Sequence, residues 1–268
     1  TTGGARNFLG KSSNMRVVAS RSLRVATWNI AAINNNPFEY WITYDANPNY
    51  EDLMLKVEQF VESPGERDVP VSDVFTEQMF QQLDARITGT AQWKSMINYW
   101  QDSFSKRLIV RDFMKDKLLG LKRLASMPDR VTNTLNTASG DTVFRPTVIN
   151  MYGEDLDTTD MWWKMWETFM FDTKLSIQDP KTKEIAERAP YQLLRPIPRS
   201  KYQEVTEQEE IDSLPLQTLC GAIFDAILVH MMNTVSTPDV WQPLKRTMVE
   251  NLNRQKVPHT LSILENMY

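Results

Sequence analysis

Few side chains in this sequence have the types and spacing that catalysis or metal binding requires. The chain has one cysteine, Cys220, and two histidines, His230 and His259. A single cysteine excludes a disulfide within the chain and any CxxC metal site. Cys220 lies in the apolar run 216–224 without a neighbouring cation, which predicts a buried and inert thiol. The remaining candidate is an oxygen donor, the side-chain amide of Asn29.

The segment that contains Asn29 has the pattern of a β-strand. Residues 23–30 are rich in β-forming side chains and alternate between two faces, and Asn34-Asn-Asn-Pro37 follows as a loop. A side-chain carbonyl at the end of a strand is a hard oxygen donor of the kind that Mg²⁺ binds. The alternative is an asparagine that only hydrogen-bonds the following turn.

The sequence Arg24-Val-Ala-Thr-Trp-Asn-Ile30 resembles the first motif of the endonuclease/exonuclease/phosphatase superfamily. The resemblance implies a two-sheet α/β-sandwich phosphohydrolase related to DNase I, with Asn29 orienting a divalent ion or a neighbouring ligand. It also implies Mg²⁺ as cofactor and a phosphate ester as substrate, with in-line attack of an activated water on phosphorus.

The later motifs of that superfamily are not matched. Its strand ending in Gln-Glu has only a weak counterpart at Glu204, and its Gly-Asp-x-Asn motif matches two positions at Gly140-Asp141, where a turn is a simpler explanation. Its Ser-Asp-His motif matches neither His230 nor His259. We therefore expect the chain to be the N-terminal part of a phosphodiesterase or phosphatase, with the catalytic half elsewhere, and to be inactive alone.

Beyond residue 37 the sequence is typical of helices. Apolar side chains recur at helical spacing, often after a Ser, Thr or Asn cap. The predicted helices are 49–62, 76–87, 91–101, 103–119, 160–173, a short one opened by the capping box Thr206–Glu209, 216–234, 237–255 and 258–268. For residues 127–152 the sequence predicts a long irregular segment that contains a hairpin. For the proline-rich residues 178–200 it predicts an extended connection.

The predicted fold class is α+β and predominantly α-helical, with one N-terminal strand of a DNase I-like sandwich and a large helical insertion. A basic N-terminal arm spans 1–22, and the first strand and its loop span 23–36. The mostly helical insertion spans 37–256. Residues 257–268 form the amphipathic helix that, in the superfamily, precedes the Gln-Glu strand.

The N-terminal arm has an unusual charge distribution. The whole chain has a net charge of −4, yet residues 1–38 contain five Lys or Arg and no acid. This pattern favours an organellar (chloroplast or mitochondrial) transit remnant, an arm that contacts an anionic partner, or a solvated tail. No uncharged apolar stretch reaches the roughly 18–20 residues of a membrane span, so we expect a soluble chain without a transmembrane segment.

Two further segments allow more than one interpretation. The helix around Trp162, Trp163 and Trp166 is apolar on all sides, which predicts a core helix or a docking surface for a protein partner. The stretch 115–130 is basic and predicts a solvated face or a phosphate or nucleic-acid contact. The competing hypothesis is therefore a non-catalytic helical scaffold or interaction subunit of a larger assembly. Such an assembly could be located in an organelle.

Overall fold

The computed structural model describes residue 38 and residues 47–87, 93–179 and 181–250. These residues form a mixed α+β body that is mostly helical, so the predicted predominance of helix is confirmed. They belong to the larger of two units of the chain, Ile33–Tyr268. The predicted strand 23–30, with Asn29, and the predicted helix 258–268 lie outside the described residues.

Helices account for most of the described chain. They are α1 (Pro48–Glu62), α2 (Glu77–Ile87), α3 (Trp93–Asp102), α4 (Lys117–Leu121), α5 (Ser126–Thr132), α6 (Thr159–Glu167), α7 (Glu207–Ile211), α8 (Ser213–Val235) and α9 (238–250). π-Helical turns occupy Ile109–Met114 and Thr168–Asp172. Short 3-10 turns occupy Gly65–Arg67, Val71–Asp73, Phe104–Lys106 and Pro190–Leu193.

Two antiparallel hairpins complete the described part. Strand β1 (Thr134–Asn136) pairs with β2 (Thr142–Phe144), and β3 (Leu175–Gln178) pairs with β4 (Ile185–Arg188). Gly140 has a φ of +92° in the first turn, a conformation that glycine adopts without strain. A hairpin lies within 127–152 as predicted, but only one of its two predicted strands is right: Thr142–Phe144 pairs with Thr134–Asn136, whereas the predicted partner, 147–151, forms no strand. Helix α5 was missed there. The extended connection predicted for 178–200 is wrong in part, because its first residues form the second hairpin.

The predicted helix starts are confirmed by their caps. The Thr76 hydroxyl accepts a hydrogen bond from the Met79 backbone N–H at 3.3 Å. Thr206 accepts from the Glu209 N–H at 3.2 Å, and the Glu209 carboxylate accepts from the Thr206 N–H at 2.9 Å. Each cap satisfies backbone donors that the first helical turn leaves without a partner.

The single helix predicted over 103–119 is wrong, because contacts distant in sequence interrupt it. The backbone at 107–109 pairs with 69–71, and the Asp68 carboxylate accepts from the Val110 N–H at 2.8 Å. Asp116 then starts α4 by accepting from the Leu118 N–H at 2.8 Å. Tertiary hydrogen bonds therefore replace part of a helix that the local apolar spacing favours.

Helix α8 is the centre of the core. It packs against α1, α3, α5, α6 and α7. Among the described residues, α8 is the one helix long and apolar enough to cross a membrane, and 83% of its most apolar window is buried within the fold. An all-round apolar helix needs this kind of enclosure. The prediction of a buried core helix is confirmed.

The three tryptophans of α6 lie in the same core. Trp162, Trp163 and Trp166 are 0%, 2% and 1% exposed. Each indole N–H donates to a partner inside the fold: the Pro146 carbonyl, the Gln82 amide and the Asp225 carboxylate. The core interpretation is confirmed. The predicted protein contact through these indoles would require α6 to leave the core.

Candidate functional site

Of the four residues that were considered for catalysis, the structure describes two. Asn29 and His259 lie outside the described residues. Glu204 is exposed in the turn before α7, whereas His230 is half-buried on α8. Across residues 47–87, 93–179 and 181–250, no three His, Cys, Asp or Glu side chains are grouped so that they could hold a metal ion. Cys220 is fully buried as predicted, and burial raises the pKa of its thiol.

A buried charged network lies where β2, α5 and α8 meet. Arg145 is 2% exposed and Asp225 is fully buried. The guanidinium donates from Nε to Oδ2 of Asp225 at 2.7 Å and from Nη2 to Oδ1 at 3.2 Å. It also donates to the Asp129 carboxylate at 2.7 Å and to the Thr132 hydroxyl at 2.8 Å. One arginine thus connects three elements.

Four hydrogen bonds converge on the Asp225 carboxylate. In addition to the two from Arg145, the Thr147 hydroxyl donates at 2.8 Å and the Trp166 indole at 2.9 Å. Burial raises the pKa of Asp225, and the Arg145 charge opposes that rise. Because every contact is a donor, this geometry satisfies the ionised carboxylate.

Lys245 on α9 extends the network. Its ammonium donates to the Thr147 carbonyl at 2.9 Å, and the residue is 4% exposed. Burial lowers the pKa of Lys245 to about 7, and the Arg246 charge adds to this effect. The partners of Arg145, Asp225 and Lys245 are groups of the fold itself, so the network positions helices and does not present a reactive group to a substrate.

A cavity of about 200 Å³ opens beside α4, and we call it the α4 pocket. Its walls are mainly apolar and come from the first π-helical turn, α4, α5, the 145–150 loop and α8. The apolar lining residues are Phe113, Met114, Leu119, Ala125, Ile149 and Phe224. Gly120 also lines it and contributes no side chain to the wall.

Three polar side chains line the α4 pocket. Asp116 accepts from Arg107 at 2.7 Å, and Asp129 accepts from Arg145 at 2.7 Å, so both carboxylates are paired with an arginine. The hydroxyl oxygen of Ser126 is buried and has no hydrogen-bond partner within the described structure. A buried hydroxyl group without a partner is uncommon in a folded protein.

Exposed apolar and basic side chains occur along residues 115–130, close in sequence to α4. Leu118 and Leu121 are 46% and 57% exposed. Four exposed cations of the predicted basic stretch form no ion pair within the described residues: Lys115, Lys117, Arg123 and Arg130. The fifth cation of the predicted basic stretch, Lys122, is instead in a buried ion pair with Glu209 at 2.6 Å.

Sequence reasoning missed the charged network and the α4 pocket. Asp225 gave a signal, because a carboxylate in an apolar helix needs a buried partner. The partner itself, Arg145, lies 80 residues away and cannot be identified from spacing. The basic residues of 115–130 were noticed, but the pocket was not.

Comparison with known proteins assigns the chain to a family without assigning an activity. Residues 68–246 match the family described as Domain of unknown function (DUF8234). Searches of curated proteins and of solved structures found no match. The matched region contains the charged network and the α4 pocket. Because it covers more than half of the 268 residues, the chain belongs to the DUF8234 family.

Proposed function

We propose that the chain is the N-terminal part of a Mg²⁺-dependent phosphodiesterase or phosphomonoesterase of the endonuclease/exonuclease/phosphatase superfamily. The described helical body would be an insertion after the first strand of that fold. The resemblance of residues 24–30 to the first superfamily motif supports the activity. The arrangement of the two ends of the helical body supports the insertion.

The observation that carries the proposal is that the two ends of the described body lie together. Tyr50 and Met54 of α1 form a buried cluster with Met248 of α9. Phe38 packs against this cluster, and its ring stacks on Tyr50 with 6.4 Å between centroids. An inserted segment must return its ends close to each other, since the elements that flank it are neighbours in the host fold.

The body also contains its own core, which an insertion requires. Helix α8 packs against α1, α3, α5, α6 and α7, and the buried charges find partners within the same body. The family match, 68–246, lies inside this body and excludes residues 24–30. These features favour a helical module attached to a separate fold.

The described residues do not provide the metal site of the proposal. No grouped metal ligands occur in the part of the chain that the structure describes. Asn29 is the one residue that we assign to the metal, and other ligands would come from sequence beyond the described body. When bound, Mg²⁺ would stabilise charge on the phosphate oxygens.

We expect Asn29→Ala to lower the Mg²⁺-dependent hydrolysis of phosphate esters about 10–100-fold, the range for groups that orient a metal or its ligands. The measurement uses the natural full-length protein, with p-nitrophenyl phosphate and bis(p-nitrophenyl) phosphate as substrates. Asn35→Ala, in the loop that follows, is the matched control and should retain activity. If the Asn29→Ala and Asn35→Ala variants were equally active, Asn29 would not be a residue that orients the metal or its ligands.

We expect residues 47–250, expressed alone, to unfold in one cooperative transition, with a free energy of unfolding of about 5–15 kcal/mol. Urea unfolding followed by tryptophan fluorescence and circular dichroism measures this. A shorter fragment, 47–237, lacks α9 and the contact of Met248 with α1, and should be clearly less stable. A non-cooperative transition of 47–250 would contradict the insertion.

The competing hypothesis, a non-catalytic scaffold or interaction subunit, loses one of its supports. It depended partly on the aromatic helix, and the indoles of that helix are buried. Size-exclusion chromatography with light scattering on the natural protein distinguishes the two hypotheses. A monomer with Mg²⁺-dependent hydrolysis favours the phosphohydrolase, and an inactive stable assembly favours the scaffold.

A further inference from the structure

A cavity of about 380 Å³ lies between the last turn of α3 and α7, and we call it the α3 cleft. Small-molecule sites commonly have volumes of about 300–1,000 Å³. Each lining side chain carries an oxygen that can accept a hydrogen bond, and none is positively charged. The lining residues are Asn98, Tyr99, Asp102, Ser103 and Gln208. The cleft can therefore hold a small organic ligand, and its wall is rich in acceptors.

Asp102 is the charged residue in the wall of the α3 cleft. Its side chain is exposed and forms neither a hydrogen bond nor an ion pair with the described residues. It is also the last residue of α3, where the negative end of the helix dipole disfavours a carboxylate. Lys106, an exposed lysine shortly after α3, does not line the cleft. A charge that local electrostatics disfavour and that the fold does not use is typical of a functional position.

Further carboxylates make the surroundings of the α3 cleft negative. The Gln208 amide donates to Oδ2 of Asp212 at 2.7 Å. Asp212 is 1% exposed, and its other carboxylate oxygen has no hydrogen-bond partner within the described structure. Burial, together with the negative charges of Glu209 and Asp212, raises the pKa of Tyr99 to about 12. Tyr99 therefore lies in a negative potential.

Two cations lie beside the α3 cleft, and each is paired with a carboxylate. Arg107 donates from Nε to the Ser103 hydroxyl at 3.1 Å and pairs with Asp116 at 2.7 Å. Lys122 pairs with Glu209 at 2.6 Å. Both cations line an adjoining cavity, which shares two residues with the cleft. Because each ion pair is neutral, the two unpaired carboxylates leave the cleft with an excess of negative charge, which attracts a cation.

We propose that the α3 cleft binds a small, free organic cation with a primary ammonium group. The Asp102 carboxylate is the counter-ion, and the side-chain oxygens of Asn98 and Tyr99 accept the remaining N–H groups, since an ammonium has three donors. A metal ion is a poor fit, because the wall contains one carboxylate and neither histidine nor cysteine. The volume of the cleft accommodates an organic group beside the ammonium. This site is independent of the phosphohydrolase proposal.

The test compares three ligands that share a phenyl group and differ in charge: 2-phenylethylamine, 2-phenylethanol and 3-phenylpropionate. Each is titrated into the intact chain at pH 7 by calorimetry and ligand-observed NMR. We expect the amine to bind at least roughly tenfold more tightly than the alcohol, since its hydrogen bond to the carboxylate is charge-assisted. The propionate should bind more weakly than either. Similar affinity of the amine and the alcohol, or no binding of the amine, would overturn the proposal.

Two variants locate the binding. Asp102→Asn keeps the shape of the side chain and removes its charge, so it should weaken 2-phenylethylamine at least roughly tenfold and leave 2-phenylethanol unchanged. Its melting temperature should not fall, because the helix dipole disfavours the natural carboxylate. Asp160→Asn, at an exposed aspartate outside the cleft, is the control and should bind normally. Unchanged binding by Asp102→Asn sinks the site, as does binding of a lysine-containing peptide without binding of the free amine.

Discussion

Replacing Asp225 by alanine is expected to lower the free energy of unfolding by about 3–5 kcal/mol, the range for a buried ion pair that loses one partner. Arg145 is only 2% exposed, and after the substitution Asp129 is its one remaining carboxylate partner. It also removes the acceptor of the Thr147 hydroxyl and of the Trp166 indole. A buried donor without an acceptor costs the free energy of its lost hydration.

Urea unfolding at pH 7, followed by circular dichroism, measures this loss. Asp172→Ala is the control, because Asp172 pairs with Arg86 at an exposed position and should cost at most about 1 kcal/mol. The double variant Arg145→Met/Asp225→Leu should recover part of the stability, since no buried charge is left unpaired. Equal losses for Asp225→Ala and Asp172→Ala would show that the network contributes little.

Replacing Lys245 by methionine is expected to stabilise the fold at pH 6 by about 1–4 kcal/mol, by analogy with the range for replacing a buried ion pair by apolar side chains. Burial lowers the pKa of Lys245 from 10.5 to about 7. Below pH 7 the lysine is protonated in both the folded and the unfolded chain, so the full cost of burying the charge is present. Between pH 7 and pH 10.5 the unfolded chain binds more protons, and the stability of the natural chain therefore rises with pH.

The stabilisation by Lys245→Met should consequently shrink as the pH rises from 6 to about 10. Urea unfolding of both chains at these two pH values measures the difference. Lys174→Met, at an exposed lysine, is the control and should change stability little at either pH. If Lys245→Met stabilised the fold equally at both pH values, folding would not lower the pKa of Lys245.

Local signals in the sequence determined many of the helices. The caps at Thr76 and Thr206 and the apolar pattern of α8 depend on residues within a few positions of one another, so spacing alone predicts them. The turn at Gly140 follows from the same kind of local preference. Mostly helical character, with α8 buried at the centre, could therefore be predicted from the sequence.

Only the tertiary structure decided the features that depend on distant residues. Asp68 interrupts the helix expected over 103–119, and Arg145 reaches Asp225 across 80 residues of sequence. The α4 pocket exists because the first π-helical turn, α5 and α8 meet around Gly120. Pairing of charges and closure of cavities depend on where separate elements pack, and one-dimensional spacing does not contain that information.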